Sequence, residues 1–222
     1  MLSDPARVRF LLELGEGRRR AAGELAALAG LSPSAASFHL SQLTEAGLLR
    51  VRQRGKHRYY EIANSTVART LEAMAMLAPP APVRSLRQSQ AGQAARFARI
   101  CDGHLAGHLG VALLRAMLAQ GLLSEGLAGC AVTPAGVRRL RELGLEPNTV
   151  SDVVGMTEGV FAPCHPDWSE NAHHLAGPLA AALTRRLLEL AWISHRPSGR
   201  AVRLTPAGRT GLRDHFGIDL AG

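Results

Sequence analysis

Residues 25–62, LAALAGLSPSAASFHLSQLTEAGLLRVRQRGKHRYYEI, hold two periodicities in one stretch. Leu25, Leu28 and Ala29 share one side of a short helix, and Gly30 supplies a turn. Ser32 before Pro33 reads as an N-cap with a first-turn proline: the hydroxyl accepts from a helix-start N–H, and proline lacks the N–H that would go unpaired there. The helix that follows carries Ala36, Leu40 and Leu43 on its apolar face and ends near Ala46, where Gly47 suits a left-handed closing residue. The period then falls to two. Leu49, Val51, Tyr60 and Ile62 are expected to face inward, and Arg50, Arg52, Arg54, Lys56 and Arg58 take alternate positions around Gly55. On a hairpin that alternation should put the basic residues largely on one side. The order is helix, turn, helix, strand, basic tip, strand.

Outward from this block, Asp4-Pro5 reads as another capped start, with Val8, Leu11 and Leu12 striping a helix over 5–14 and GEGRRR (15–20) as a loop. Val67, Leu71, Met74 and Leu77 mark a helix over 65–77, and APPAPV (78–83) breaks the chain. The expected organisation is a DNA-binding domain at 1–78, a linker at 79–88 and a second domain at 89–222. The second domain hides a repeat. His104-Leu105-Ala106-Gly107 recurs as His174-Leu175-Ala176-Gly177, and Thr133-Pro134-Ala135-Gly136 as Thr205-Pro206-Ala207-Gly208. The first motif opens an apolar helical run in each copy, and the second caps a short helix. We therefore expect two related helix–strand–helix units, about 95–150 and 165–220, packed on each other. The fold class is mainly α with small β-hairpins: a winged helix-turn-helix followed by an α-rich α+β domain.

The chain has 222 residues and a net charge of +8 at pH 7, a balance that favours polyanionic partners. Nearly all the positive charge is arginine, and Lys56 is the single lysine, so arginine-favouring codon usage explains part of the total. Position is more informative than sum. The second helix of the block exposes short polar residues, Ser34, Ala35, Ser37, His39 and Gln42, and has no acid before Glu45. Base edges in the major groove are read by side chains of this kind, while phosphates take arginine, lysine and helix N-termini. These five residues, with Arg50, Arg52, Arg54, Lys56 and Arg58 on the wing, are the expected DNA contacts. No apolar run is long enough to span a bilayer, and the first residues show no secretory pattern. A cytoplasmic protein without a membrane partner is expected.

The blocks LSPSAASFHLSQLTEAGLL and RGKHRYYEI together resemble the winged helix-turn-helix of the ArsR (arsenic-repressor-like) family of bacterial regulators, over about the first third of the chain. The resemblance implies a homodimer on a palindromic double-stranded operator, acting as a repressor that an inducer releases. Many metal sensors of that family carry Cys-x-Cys in the helix before the turn. Here that helix is Glu24-Leu25-Ala26-Ala27-Leu28-Ala29, and the helix after the wing lacks the paired Asp and His ligands of zinc-type sensors. Neither familiar metal position is expected to work. An architectural DNA-binding protein, whose second domain only builds the dimer, is the alternative. Nothing in the sequence demands catalysis, so no enzyme is expected.

The second domain holds the remaining chemistry. Cys101, His104 and His108 are spaced for one face of a helix. Cys164, His165 and Asp167 form a second group, and His173 and His174 a third. Thiolates and imidazoles suit zinc, copper(I) or a metalloid, and low-pKa cysteines report oxidants. Against this stands an architectural role, because a fixed offset of 70 (174 − 104) matches His104 to His174 but Cys101 to Asn171 and His108 to Pro178. Asp167-Trp168-Ser169-Glu170 also fits a capping box. The inducer is left open between a metal, a redox signal and a small molecule, and DNA binding requires no cofactor.

Overall fold

The structure is a computed structural model that describes residues 3–15, 19–55, 57–77, 86–126, 129–145, 161–196 and 199–220. Among the described residues no helix is long and apolar enough to cross a membrane. The chain divides into two compact units, Met1–Leu77 and Ala78–Gly222.

In the first unit the order is α1 (Pro5–Gly15), β1 (Arg20–Ala21), α2 (Ala22–Ala29), α3 (Pro33–Glu45), β2 (Leu49–Arg54), β3 (His57–Ile62) and α4 (Ser65–Leu77). The Ser32 hydroxyl accepts from the Ala35 N–H at 3.3 Å, and Gly30 closes α2 in the left-handed region at φ 67°, as the turn requires. One core joins Phe10, Leu11 and Leu14 of α1 to Leu25, Ala36, Leu40, Leu43, Leu49 and Tyr60. Two details differ from the sequence reading. Arg20–Ala21 is a short strand rather than loop, pairing Arg20 with Tyr60 and Ala21 with Tyr59, so the sheet runs β1-β3-β2. Leu12 and Leu28 are exposed. Apolar spacing fixed those two helices but not which face meets a neighbour.

The second unit begins earlier than the expected linker allows: α5 spans Leu86–Phe97 and takes in 86–88. From there each repeat is a β-hairpin, a helix, a second hairpin and a closing helix. The first copy has β4 (Arg99–Cys101), β5 (His104–Ala106), α6 (His108–Ala119), β6 (Leu123–Gly126), β7 (Gly129–Val132) and α7 (Pro134–Glu142). After β8 (Phe161–Ala162) the second has β9 (Cys164–Asp167), β10 (Ala172–Leu175), the helix Gly177–Glu189, the hairpin strands Ile193–His195 and Val202–Leu204, and the helix Pro206–Phe216. The expected helix–strand–helix unit is thus a correction. His-Leu-Ala is strand in both copies, and the helix starts after Gly107 in the first and at Gly177 in the second. Asp102 and Gly103, at φ 47° and 84°, make the tight hairpin turn that an Asp-Gly pair favours.

The duplication is atomic in detail. Thr133 Oγ1 accepts from the Gly136 N–H at 3.0 Å and donates to the Gly121 carbonyl at 2.6 Å; Thr205 Oγ1 accepts from Gly208 at 2.9 Å and donates to Ala191 at 2.7 Å. The copies also exchange edges. The Val202 N–H donates to the Ala98 carbonyl at 3.0 Å, and in the equivalent place Cys130 of β7 pairs with Ala162 of β8. Helix α6 packs on β10 while the helix Gly177–Glu189 packs on β5, so each repeat covers the other's hairpin over one shared core. A side chain at Gly208 would collide with the Trp192 carbonyl and the Leu204 methyl, as one at Gly136 would with the Leu122 carbonyl. Gly208→Ala is therefore expected to destabilise the second unit by about 1–3 kcal/mol, the usual range for overpacking, read from its urea midpoint.

Candidate nucleic-acid interface and a buried histidine cluster

Helix α3 buries Ala36, Leu40 and Leu43, which turns Ser34, Ser37, Phe38 and Ser41 to solvent. Phe38 is 60% exposed, beside the expected contact residues, and sequence reasoning passed over it. The signal was its place one residue past Ser37, on the face opposite Leu40. Ala35, His39 and Gln42 are half-buried. Gln42 Oε1 accepts from Arg7 Nη1 at 2.6 Å, and His39 Nδ1 lies 3.7 Å from Asp4 Oδ2. Those two side chains anchor α3 to α1, and the open face is the serine–phenylalanine one.

The described wing arginines lie largely on one side, as expected, with Arg58 the exception. Its register pairs Leu49 with Ile62, Arg52 with Tyr59 and Gln53 with Arg58. Paired residues of an antiparallel ladder share a face, and the paired numbers sum to an odd value (49 + 62 = 111). Even positions of β2 therefore face with odd positions of β3. Arg50, Arg52 and Arg54 lie on the Glu61 face, while Arg58 lies with Gln53 and Val51 on the other. Val51, expected inside, is 39% exposed. Lys56 lies outside the described residues.

Glu61 gathers three guanidinium groups: Arg50 Nε at 2.6 Å, Arg52 Nε at 3.0 Å and Arg19 Nε at 2.6 Å. Burial alone would push its carboxyl up, but the hydrogen bonds from Arg52, Arg19 and Arg50 outweigh that and hold it below the usual range. The stability this cluster adds is present above the ordinary carboxylate pKa and is lost as pH falls through the depressed one. The base of the wing is thus tied down. Arg54 and Arg58, nearer the tip, are exposed and have no carboxylate partner among the described residues.

A helix-turn-helix domain model matches residues 2–52. The HTH-type transcriptional regulator YdfF of Bacillus subtilis (strain 168) is 40% identical over 220 residues, covering 99% of this chain and 96% of its own. This chain belongs to the HTH-type transcriptional regulators. The winged helix-turn-helix expected from residues 25–62 is borne out. Among solved structures, the homodimeric winged helix-turn-helix DNA-binding domain Mb0332 from Mycobacterium bovis, titled a possible ArsR-family transcriptional regulator, is 30% identical, covering 34% of this chain and 69% of its own, with a TM-score of 0.32. NolR from Sinorhizobium fredii is 32% identical over 36% of this regulator and 79% of its own chain, with a TM-score of 0.33.

In the regulator's second unit the cysteines and histidines regroup. Cys101 and His104 face each other across the first hairpin, and His165 and His174 across the second. The second hairpin is longer: eight residues (166–173) separate its histidines, against two (102–103) in the first. A fixed offset misses this insertion, so the structural counterpart of Cys101 is His165, not Asn171. His104 Nε2 and His174 Nε2 stand 3.2 Å apart, both residues buried, where the hairpins meet. His108 opens α6 instead and is exposed, with Nδ1 3.0 Å from Glu170 Oε2. His173 alternates outward from His174 and is exposed. Cys164, likewise opposite in facing to His165, approaches Cys130 with the sulfurs 3.6 Å apart. Burial, then the hydrogen bond and charge of Cys130, push the Cys164 thiol up to about 12, so it holds little thiolate at neutral pH.

Asp167 is not a helix cap. Its Oδ1 accepts from the Ser169 N–H at 2.9 Å and the Ser169 hydroxyl at 2.7 Å in the hairpin turn. Its Oδ2 accepts from the Gly107 N–H at 2.6 Å and lies 3.0 Å from Arg99 Nη2 and 3.2 Å from His174 Nδ1. Burial raises this carboxyl, but the His174 contact, the Arg99 charge, Ser169 and Gly107 together hold it far below the carboxylate range.

Proposed function

We propose that this regulator is an ArsR-type repressor that binds a palindromic operator as a homodimer and releases it when an inducer acts on the second unit. The observation that carries the reading is the exposed face of α3, Ser34, Ser37, Phe38 and Ser41, next to a wing whose tip arginines, Arg54 and Arg58, are exposed and have no carboxylate partner among the described residues. Small hydroxyls reach either donor or acceptor base edges, and the Phe38 ring suits a thymine methyl. The α3 N-terminus offers N–H groups to a phosphate. Two such helices about 34 Å apart fit successive turns of one duplex face. Ala35, His39, Gln42, Arg50 and Arg52 then serve at the edges of the contact, with His39 and Gln42 fixing the pose of α3.

The test is operator selection with the full-length protein. Wild type should enrich a two-fold symmetric site in which each wrong base pair costs about 1–3 kcal/mol. Ser37→Ala combined with Phe38→Ala should flatten that penalty at the central positions of each half-site and leave non-specific affinity unchanged. An operator profile identical to wild type would remove α3 from the groove.

A further inference from the structure

The regulator reading leaves one cluster unused: the four side chains where the two hairpins meet. We propose that Cys101, His104, His174 and His165 form a binding site for one zinc-type cation that bridges the two repeats of the second unit. Binding itself stands on the geometry below; its meaning as a signal rests on the repressor reading.

The donor atoms of Cys101, His104 and His174 all lie within 4.8 Å of one another, and all three residues are buried. Two imidazole nitrogens each about 2.0–2.1 Å from one zinc at the tetrahedral angle stand roughly 3.3 Å apart. The His104 and His174 Nε2 atoms are already 3.2 Å apart. The His165 ring lies beside them, its centroid 5.3 Å from that of His104 and 6.2 Å from that of His174, which makes it the fourth donor of the proposal. The four positions are two structurally equivalent pairs, Cys101 with His165 and His104 with His174, so the near-symmetry that packs the repeats also converges their donors.

The second observation is behind His174. Asp167 Oδ2 lies 3.2 Å from its Nδ1, at ion-pair distance, while its Nε2 is the nitrogen that faces His104. A carboxylate on the far side of a ligand histidine is the usual outer partner in zinc sites, fixing ring orientation and raising basicity. Asp167 belongs to the insertion that distinguishes the second hairpin from the first. Thiolate plus imidazole selects zinc, cobalt(II) or copper(I) over the hard cations. On binding, Cys101 gives its thiol proton to solvent and His104 carries its proton on Nδ1, so each donor offers a lone pair to the metal.

The experiment uses reduced, chelator-stripped full-length protein titrated with cobalt(II) chloride and then zinc chloride. We expect one cobalt per chain, with the intense visible bands of tetrahedral cobalt and a thiolate-to-cobalt charge-transfer band, both erased by one equivalent of zinc. Cys101→Ser should remove the charge-transfer band, His174→Ala the tetrahedral spectrum, and Asp167→Asn should weaken affinity about 10–100-fold. His108→Ala and His173→Ala should change nothing. Tryptophan fluorescence and circular dichroism establish which variants fold, and half-buried His165→Ala, expected to weaken binding, serves if a buried substitution does not. A folded wild type without the tetrahedral spectrum, or a spectrum that survives both Cys101→Ser and His174→Ala, overturns the site. Operator binding with and without one equivalent of zinc separates the two readings. Equal affinity in both states overturns the sensing role alone, whereas no operator binding in either state defeats the repressor reading while the cobalt spectrum stands.

Discussion

Asp167→Ala should destabilise the second unit by about 3–5 kcal/mol, the largest effect expected of any single substitution here. Arg99 is 1% exposed and Asp167 0%, so the variant takes from a buried guanidinium the carboxylate that lies 3.0 Å from its Nη2. The Ala95 carbonyl at 3.3 Å, the Ser169 hydroxyl at 3.0 Å and the Trp168 ring at 4.7 Å also meet Arg99, and these neutral groups do not replace the lost carboxylate. The Gly107 N–H at the mouth of α6 loses its acceptor as well. The chain's two tryptophans, Trp168 and Trp192, both lie in this unit, so fluorescence during urea unfolding reports on it alone. A loss below about 1 kcal/mol would mean that water reaches Arg99 and that the pair is no more than a surface contact. Asp167→Asn keeps the shape and should fall between the two.

Arg54→Ala with Arg58→Ala should lower affinity for any duplex roughly 60-fold per protomer at about 0.1 M salt, with the slope of log K against log salt shallower by about 1.8. The figures follow from one phosphate lost per arginine, each releasing about 0.9 of a counterion. Arg50→Ala is the internal comparison. Arg50 is spent on Glu61 at 2.6 Å, so its removal should cost far less DNA affinity and should instead loosen the base of the wing. Sequence preference should survive both changes, because phosphates position and base edges specify. An unchanged salt slope in the double variant would take the wing tip off the backbone.

The helices and their caps were legible in the sequence because the signals are local. Ser32-Pro33, Thr133-Pro134 and Thr205-Pro206 each start a helix, and in all three the hydroxyl accepts from the N–H three residues on. The missed hairpin at 101–104 had a local signal too, the Asp102-Gly103 pair, overridden by the apolar helical run that follows it. The wing's faces were not legible by alternation alone: a two-residue turn reverses parity between strands, and Arg58 changes sides although the spacing never breaks. Nor was the donor set. Aligning copies at one offset hid the equivalence of Cys101 and His165, because six extra residues sit between His165 and His174.

By itself the chain's order of residues determined where helices begin, that a capped polar helix is followed by an arginine-bearing hairpin, and that the second half is doubled. Only the tertiary structure decided which side chains meet: that Glu61 binds two wing arginines, that α3 shows Ser37 and Phe38 while holding back His39 and Gln42, and that His104 and His174 come within 3.2 Å. The physical reason is range. Capping and periodicity act within a turn or two of backbone, whereas a contact between residues 70 positions apart is set by how two whole repeats bury a common core.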